Sequence, residues 1–191
     1  MLTAGIFLGR RSSRMDIRIC RELLEKGLEL NITDSVISTE ILFKPAFSIL
    51  GRTVYCQLRK RNDELLICYL HFNRYEFYSL NYNSNPNNIS ESVFDDSFCG
   101  IKIADTKAKN KLEQIIGKVN SFEKDEIKTA SGLDGYSHTV IINDRKFYWW
   151  CEPISKEAEI LDRFVSEAFR YLPEDFRKCQ YRIDPYKYRE N

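Results

Sequence analysis

Apolar and polar residues change period along this chain, and the period names the elements. From Asp16 to Leu30, Ile17, Cys20, Leu24 and Leu28 recur at helical spacing, with Arg18, Arg21, Glu22, Glu25 and Lys26 between them. This is a helix with one apolar stripe, given modest surface support by Arg21 with Glu25 and Glu22 with Lys26 at i,i+4. Asn31 to Ser35 is a connection. Val36 to Phe43 is β-prone and reads as a strand, ended by Lys44 and Pro45. Phe47 to Lys60, with a bulge at Gly51, reads as a second strand. Thr53, Tyr55, Gln57 and Arg59 fall on one of its faces, and Val54, Cys56 and Leu58 on the other. Arg61, Asn62 and Asp63 turn tightly into Glu64 to Phe72, which is apolar on both faces and therefore central. Asn73 and Arg74 make another turn, and Tyr75 to Leu80 returns. The spacing, about 10 residues, predicts an antiparallel meander.

Asn81 to Ser90 (NYNSNPNNIS) favours turns and local side-chain bonding over packing, which predicts a surface loop and the one internal boundary of a single 1–191 domain. Val93 to Ile103 is a short strand or an irregular segment. Thr106 to Val119 is a second helix with Leu112, Ile115, Ile116 and Val119 as its stripe. Lys107, Lys109 and Lys111 crowd its first turns, where positive charge is mildly unfavourable. Ser121 to Ala130 is a loop or a short strand.

The clearest pattern runs from Gly132 to Pro173. Gly132, Asp134 and Gly135 mark a turn, His138 to Ile142 is a β-branched strand, Asn143 to Arg145 turn the chain, and Lys146 to Cys151 is an aromatic return strand. Pro153 breaks that strand and Ser155 is placed to N-cap a helix. Ile160, Phe164, Ala168 and Tyr171 form its stripe, with Leu161, Val165 and Leu172 beside them. The predicted class is α+β: an antiparallel sheet, meander plus C-terminal hairpin, with two to four helices mainly on one face. Nothing repeats at a fixed period, which excludes a solenoid or propeller.

Composition narrows the function classes. The chain has 191 residues, 43% of them hydrophobic, enough for one sizeable core. A net charge of +1 is neither that of a strongly basic nucleic-acid binder nor that of an acidic DNA mimic. The six cysteines, Cys20, Cys56, Cys68, Cys99, Cys151 and Cys179, include no C-x-x-C pair and read as scattered buried thiols of a reducing cytoplasm. With two histidines the ligand supply for zinc is poor, and neither metal nor cofactor is expected. Leu2 to Gly9 is apolar but too short for a secretory segment, and Arg10, Arg11 and Arg14 follow it rather than precede it. Residues 1–14 are expected to be loosely ordered, and Met15 is a second plausible start. No stretch is long enough to span a membrane.

Candidate chemistry is sparse. Ser137 and His138 are adjacent on a strand, so their side chains take opposite faces and cannot form a dyad. His71 has no identifiable carboxylate or nucleophile beside it. The acidic pairs Asp63–Glu64 and Asp95–Asp96 sit in turns, no D-x-n-E-x-K arrangement marks a metal-dependent nuclease, and there is no phosphate-binding glycine loop. No catalytic residue is assigned. The tail after Pro173 interleaves Tyr181, Arg182, Tyr186, Lys187, Tyr188 and Arg189, in the manner of a nucleic-acid stacking surface, but Glu174, Asp175, Asp184 and Glu190 offset its charge. A nucleic-acid-associated protein or nuclease using that tail is the alternative reading, and a metal-independent enzyme a third. Trp149 and Trp150 are adjacent, so one faces the core and the other becomes an aromatic anchor for a partner.

The run D-G-Y-x-H-T-V-I-I-N-D-R-K-F-Y-W-W, followed by a helix with L-D-x-F-V, resembles the C-terminal hairpin and helix of small bacterial α+β proteins. Many of these are immunity proteins of polymorphic toxin systems, contact-dependent inhibition included. The resemblance covers residues 132–173. It implies a cytoplasmic, non-enzymatic protein that binds one toxin domain and blocks its active site. Such proteins are often acidic against basic nucleases; this chain is nearly neutral and would rely on shape and aromatic burial more than on steering. The expected contacts are Trp149, Trp150, Tyr136 and His138 on the hairpin, Tyr82 and Asn85 in the 81–90 loop, and Arg182 and Tyr186 in the tail.

Overall fold

The computed structural model describes residues 17–25, 28, 32, 34–45, 53–72, 98–123, 127 and 136–172. Residues 17–25 form helix α1. It precedes strands β1 (Val36–Pro45), β2 (Thr53–Arg61), β3 (Glu64–Phe72) and β4 (Phe98–Ile103). Helix α2 (Thr106–Asn120), strands β5 (Tyr136–Ile142) and β6 (Arg145–Trp150) and helix α3 (Lys156–Arg170) complete the order. All pairings are antiparallel, and the sheet runs β4-β3-β2-β1-β5-β6. This is the predicted α+β class. Among the described residues no helix is long and apolar enough to cross a membrane.

Period-2 alternation divides the sheet into two cores. Ile41 and Phe43 of β1, Val54, Cys56 and Leu58 of β2, Leu65 and Ile67 of β3, Val140 and Ile142 of β5, and Phe147 and Trp149 of β6 pack against α2 and α3. Leu42, Tyr55, Leu66, Cys68 and Leu70 take the opposite face and pack against α1. Two of the three described helices thus share one face. The α1 stripe is wider than the expected one, because Ile19 and Leu23 are buried as well as Ile17, Cys20, Leu24 and Leu28. In α3 the buried line is Leu161, Phe164, Val165, Ala168, Phe169 and Leu172, with Ile160 and Tyr171 at its margin.

Several boundaries differ from the expectation. The fourth described strand is Phe98–Ile103, and it lies beside β3; the expected returning strand Tyr75 to Leu80 lies outside the described residues, as do Gly51, the 81–90 loop and residues 1–14. The hairpin turn is Asn143 and Asp144 alone, both with positive φ (48° and 65°), and Arg145 already pairs with Ile142. That left-handed pair matches the twist of the flanking strands, so no third turn residue is needed. Helix α2 is N-capped by Asp105, whose carboxylate accepts from the Ala108 N–H at 2.7 Å.

Two of the three lysines in the first α2 turns, Lys109 and Lys111, have partners that offset the unfavourable dipole. Lys109 Nζ donates to the Asp63 carbonyl at 2.6 Å, tying the helix to the β2–β3 turn, and Lys111 meets buried Glu167 of α3 at 3.0 Å. At the other end Arg145 donates to the carbonyls of Val119, Asn120 and Phe122, capping α2 from the hairpin. Ser155 caps α3 as expected, accepting from the Ala158 N–H at 3.2 Å. Replacing either cap, Asp105→Ala or Ser155→Ala, is expected to lower the unfolding free energy by about 1 kcal/mol. Urea titration of each variant checks this; a change within the error of the parent would remove the caps from the account.

Candidate interaction surface

The β5–β6 hairpin sorts the predicted contact residues by face. Trp149 points into the core and is fully buried, its indole stacked on the His138 imidazole at 4.5 Å between centroids and 13° between planes. Tyr136 meets His138 edge-on at 5.3 Å, and Phe43 lies 5.3 Å from the same ring. Trp149 and His138 therefore form the rigid backing of the hairpin, and what lies outside is carried by their neighbours. Tyr136 is half-buried, and its hydroxyl donates to Glu152 Oε1 at 3.2 Å. Burial first, and then Glu152, pushes its phenol well above the ordinary value.

Lys146, Tyr148 and Trp150 take the opposite face of β6, the one on the α1 side of the sheet. Trp150 is half-buried there, and Tyr148 is 40% exposed. Chain alternation places the three in line, and Tyr148 is an exposed aromatic that a search for tryptophans alone overlooks. The strand ends sharply: Cys151 takes a positive φ of 53° and its N–H donates to the Tyr136 carbonyl at 2.7 Å. Ile154, just beyond, is also exposed. Tyr82, Asn85, Arg182 and Tyr186 lie outside the described residues.

Beneath α1 the sheet carries a line of polar groups. Glu40, only 3% exposed, accepts two hydrogen bonds from Arg21, Nε to Oε1 at 3.1 Å and Nη2 to Oε2 at 2.6 Å, and a third from the Tyr55 hydroxyl. Gln57 Nε2 donates to the Tyr55 hydroxyl at 2.8 Å, and Arg59 Nη1 donates to Gln57 Oε1 at 2.8 Å. Arg59 also donates to the Ser35 hydroxyl and carbonyl, and Ser35 donates on to the Ile32 carbonyl. The hydrogen bonds from Arg21 to Glu40 hold the guanidinium above its ordinary value; desolvation, then Glu40, does the same to the Tyr55 phenol. The sequence signal for this line was a lone acid, Glu40, inside a β-branched run.

His71 and His138 are both buried. Ser137 and His138 do take opposite faces, Ser137 bonding the Lys44 carbonyl at 3.3 Å. Among the described residues no three His, Cys, Asp or Glu side chains gather as a metal site requires. Cys56, Cys68 and Cys99 are free thiols. Glu167 joins Lys111, Arg170 and the Tyr171 hydroxyl between α2 and α3. Compared with known protein families, curated proteins and solved structures, the chain has no match.

Burial pushes the Cys56 thiol up, Cys68 up to about 11 and Tyr171 up to about 12, and Tyr55 and Tyr136 are raised too. The fold holds these acids neutral, so the unfolded chain releases its protons first. Their contribution is complete below the ordinary values of 9.0 for the thiols and 10.0 for the phenols, and is lost as pH rises through the raised ones. Urea midpoints are therefore expected to fall steadily across that alkaline window. In Cys56→Ala/Cys68→Ala the early part of the fall shrinks; an unchanged slope would show that these thiols are not its source.

Proposed function

We propose that this chain is a non-enzymatic protein-binding module, an immunity protein that neutralises a cognate bacterial toxin domain by occluding its active site. The observation that carries the reading is Tyr148, 40% exposed on an edge strand and in line with half-buried Trp150. An exposed aromatic at the centre of a rigid strand loses little conformational freedom on binding and buries a large area, which is what interface anchors do. The backing is equally suited to the task. Trp149, His138, Phe43 and Tyr136 pack the hairpin from behind, so the anchor is presented preorganised. The chain's near-neutral charge, +1, fits recognition by shape and aromatic burial. In this reading the 81–90 loop and the basic aromatic tail supply the remaining contacts, and the C-terminal resemblance over residues 132–173 supplies the class of partner.

Co-expression with the product of the adjacent gene, followed by pull-down and a growth assay, tests the reading directly. A neighbour that is toxic alone, bound by this chain and harmless in its presence supports it; no toxicity and no complex would sink it. Within such a complex, Tyr148→Ala is expected to weaken binding by about 2 kcal/mol, roughly 30-fold, at unchanged thermal stability. Trp149→Ala should instead cost about 3–5 kcal/mol of folding stability, because it empties the core. Titration calorimetry and thermal melts separate the two. Full affinity in Tyr148→Ala would move the contact surface elsewhere.

A further inference from the structure

At the other end of the sheet, β4 offers an edge of a different kind. Among the described residues it pairs with β3 alone. The Ala104 N–H donates to the Leu65 carbonyl at 2.9 Å, and this sets the backbone alternation. Ala104, Lys102 and Gly100 turn their main-chain groups toward β3, so Cys99, Ile101 and Ile103 turn theirs outward. The same three side chains form one apolar row on the α1 side of the sheet. Cys99 and Ile101 pack against the core beneath α1, and Ile103 at the end of the row is 53% exposed. On the opposite face Lys102 is exposed, and the Tyr69 ring lies where a Gly100 side chain would be, its Cζ 2.7 Å from that position.

We infer that β4 pairs with β4 of a second copy of this chain, joining two sheets edge to edge about a twofold axis through Ile101. The strand is self-complementary in that register. Ile101 faces its own copy and Cys99 faces Ile103, so every residue with outward main-chain groups meets another such residue. The apolar rows meet along one face, extending the core beneath α1 across the axis and covering Ile103. On the other face each Lys102 falls opposite a Gly100, where its stem lies against the Tyr69 ring. A register centred on Lys102 would set lysine against lysine, and one centred on Gly100 would leave Ile103 uncovered. An exposed apolar edge is a liability that pairing removes. The β6 surface proposed for the toxin lies at the opposite end of the sheet with four strands between, so the two associations are independent.

Sedimentation velocity of the full chain at micromolar concentration is expected to show a species of twice 22.6 kDa. Ile101→Lys, which places a lysine against its copy on the axis, should return the chain to 22.6 kDa. Ile103→Cys under mild oxidation should form an intermolecular disulfide between Cys99 of one copy and position 103 of the other, identified by peptide mapping. The second variant keeps the idea testable if the first misfolds. A monomer at every concentration, a dimer indifferent to a folded Ile101→Lys, or a cross-link to other cysteines each overturns it.

Discussion

A carboxylate placed in the middle of a sheet and denied water must be met by donors, and Glu40 is where this fold is most constrained. Its two oxygens take three hydrogen bonds, from Arg21 on α1 and from Tyr55 on the neighbouring strand. An unpaired buried charge would cost several kcal/mol. The helix must therefore sit where Arg21 reaches Glu40, which sets its position along the sheet. The apolar contacts of Leu23, Leu24 and Leu28 are non-directional and would tolerate a small slide; the fork of a guanidinium on a carboxylate would not. Gln57, Arg59 and Ser35 continue the same line and fasten the segment after the helix. Apolar burial supplies most of the stabilisation on this face, and the polar line supplies the register.

Among the described residues the opposite face is packed chiefly by large apolar side chains. Phe147, Trp149, Phe164 and Phe169 fill it, and the polar contacts sit at its ends: Lys109 on the β2–β3 turn, Arg145 on the last carbonyls of α2, and Glu167 between the two helices. Each joins elements far apart in sequence. The hairpin is thereby locked to α2 at its turn and to the core through Trp149 near its open end, so its outer side chains are presented on a packed support.

The elements legible from the residues were those whose pattern is local. Alternation on β2 placed Tyr55, Gln57 and Arg59 together, the Asn143–Asp144 turn marked the hairpin, and Ser155 marked the start of α3. The location of α1 on the reverse face was not legible, because amphipathicity says that a helix is half-buried but not on which side of a sheet. Nor was the pairing of β4 with β3, which depends on how the chain returns from 73 to 97. The two tryptophans show the same limit at the scale of the site. Adjacency guaranteed that they would face opposite ways, yet only the sheet's packing decides that Trp149 is the support and that Tyr148, two residues from neither a turn nor a break, is the exposed aromatic.

The two edges of the sheet carry different chemistry, and this bears on how one small chain could use both. On β6 the residues flanking the exposed aromatic are bulky, Lys146 and Trp150, so a strand laid alongside would have to accommodate their shape, and such an edge would select among partners. On β4 the row is Cys99, Ile101 and Ile103, small or aliphatic, and its one charge lies opposite a glycine in the twofold register. Such an edge demands little of its partner beyond the absence of a facing lysine, which its own copy satisfies. Symmetric pairing there would leave each β6 at the far end of a continuous sheet of twelve described strands, twice the six described in one chain. Two outward-facing anchors on one rigid body would bind two partner domains without their colliding, and would gain in avidity against any partner that is itself paired.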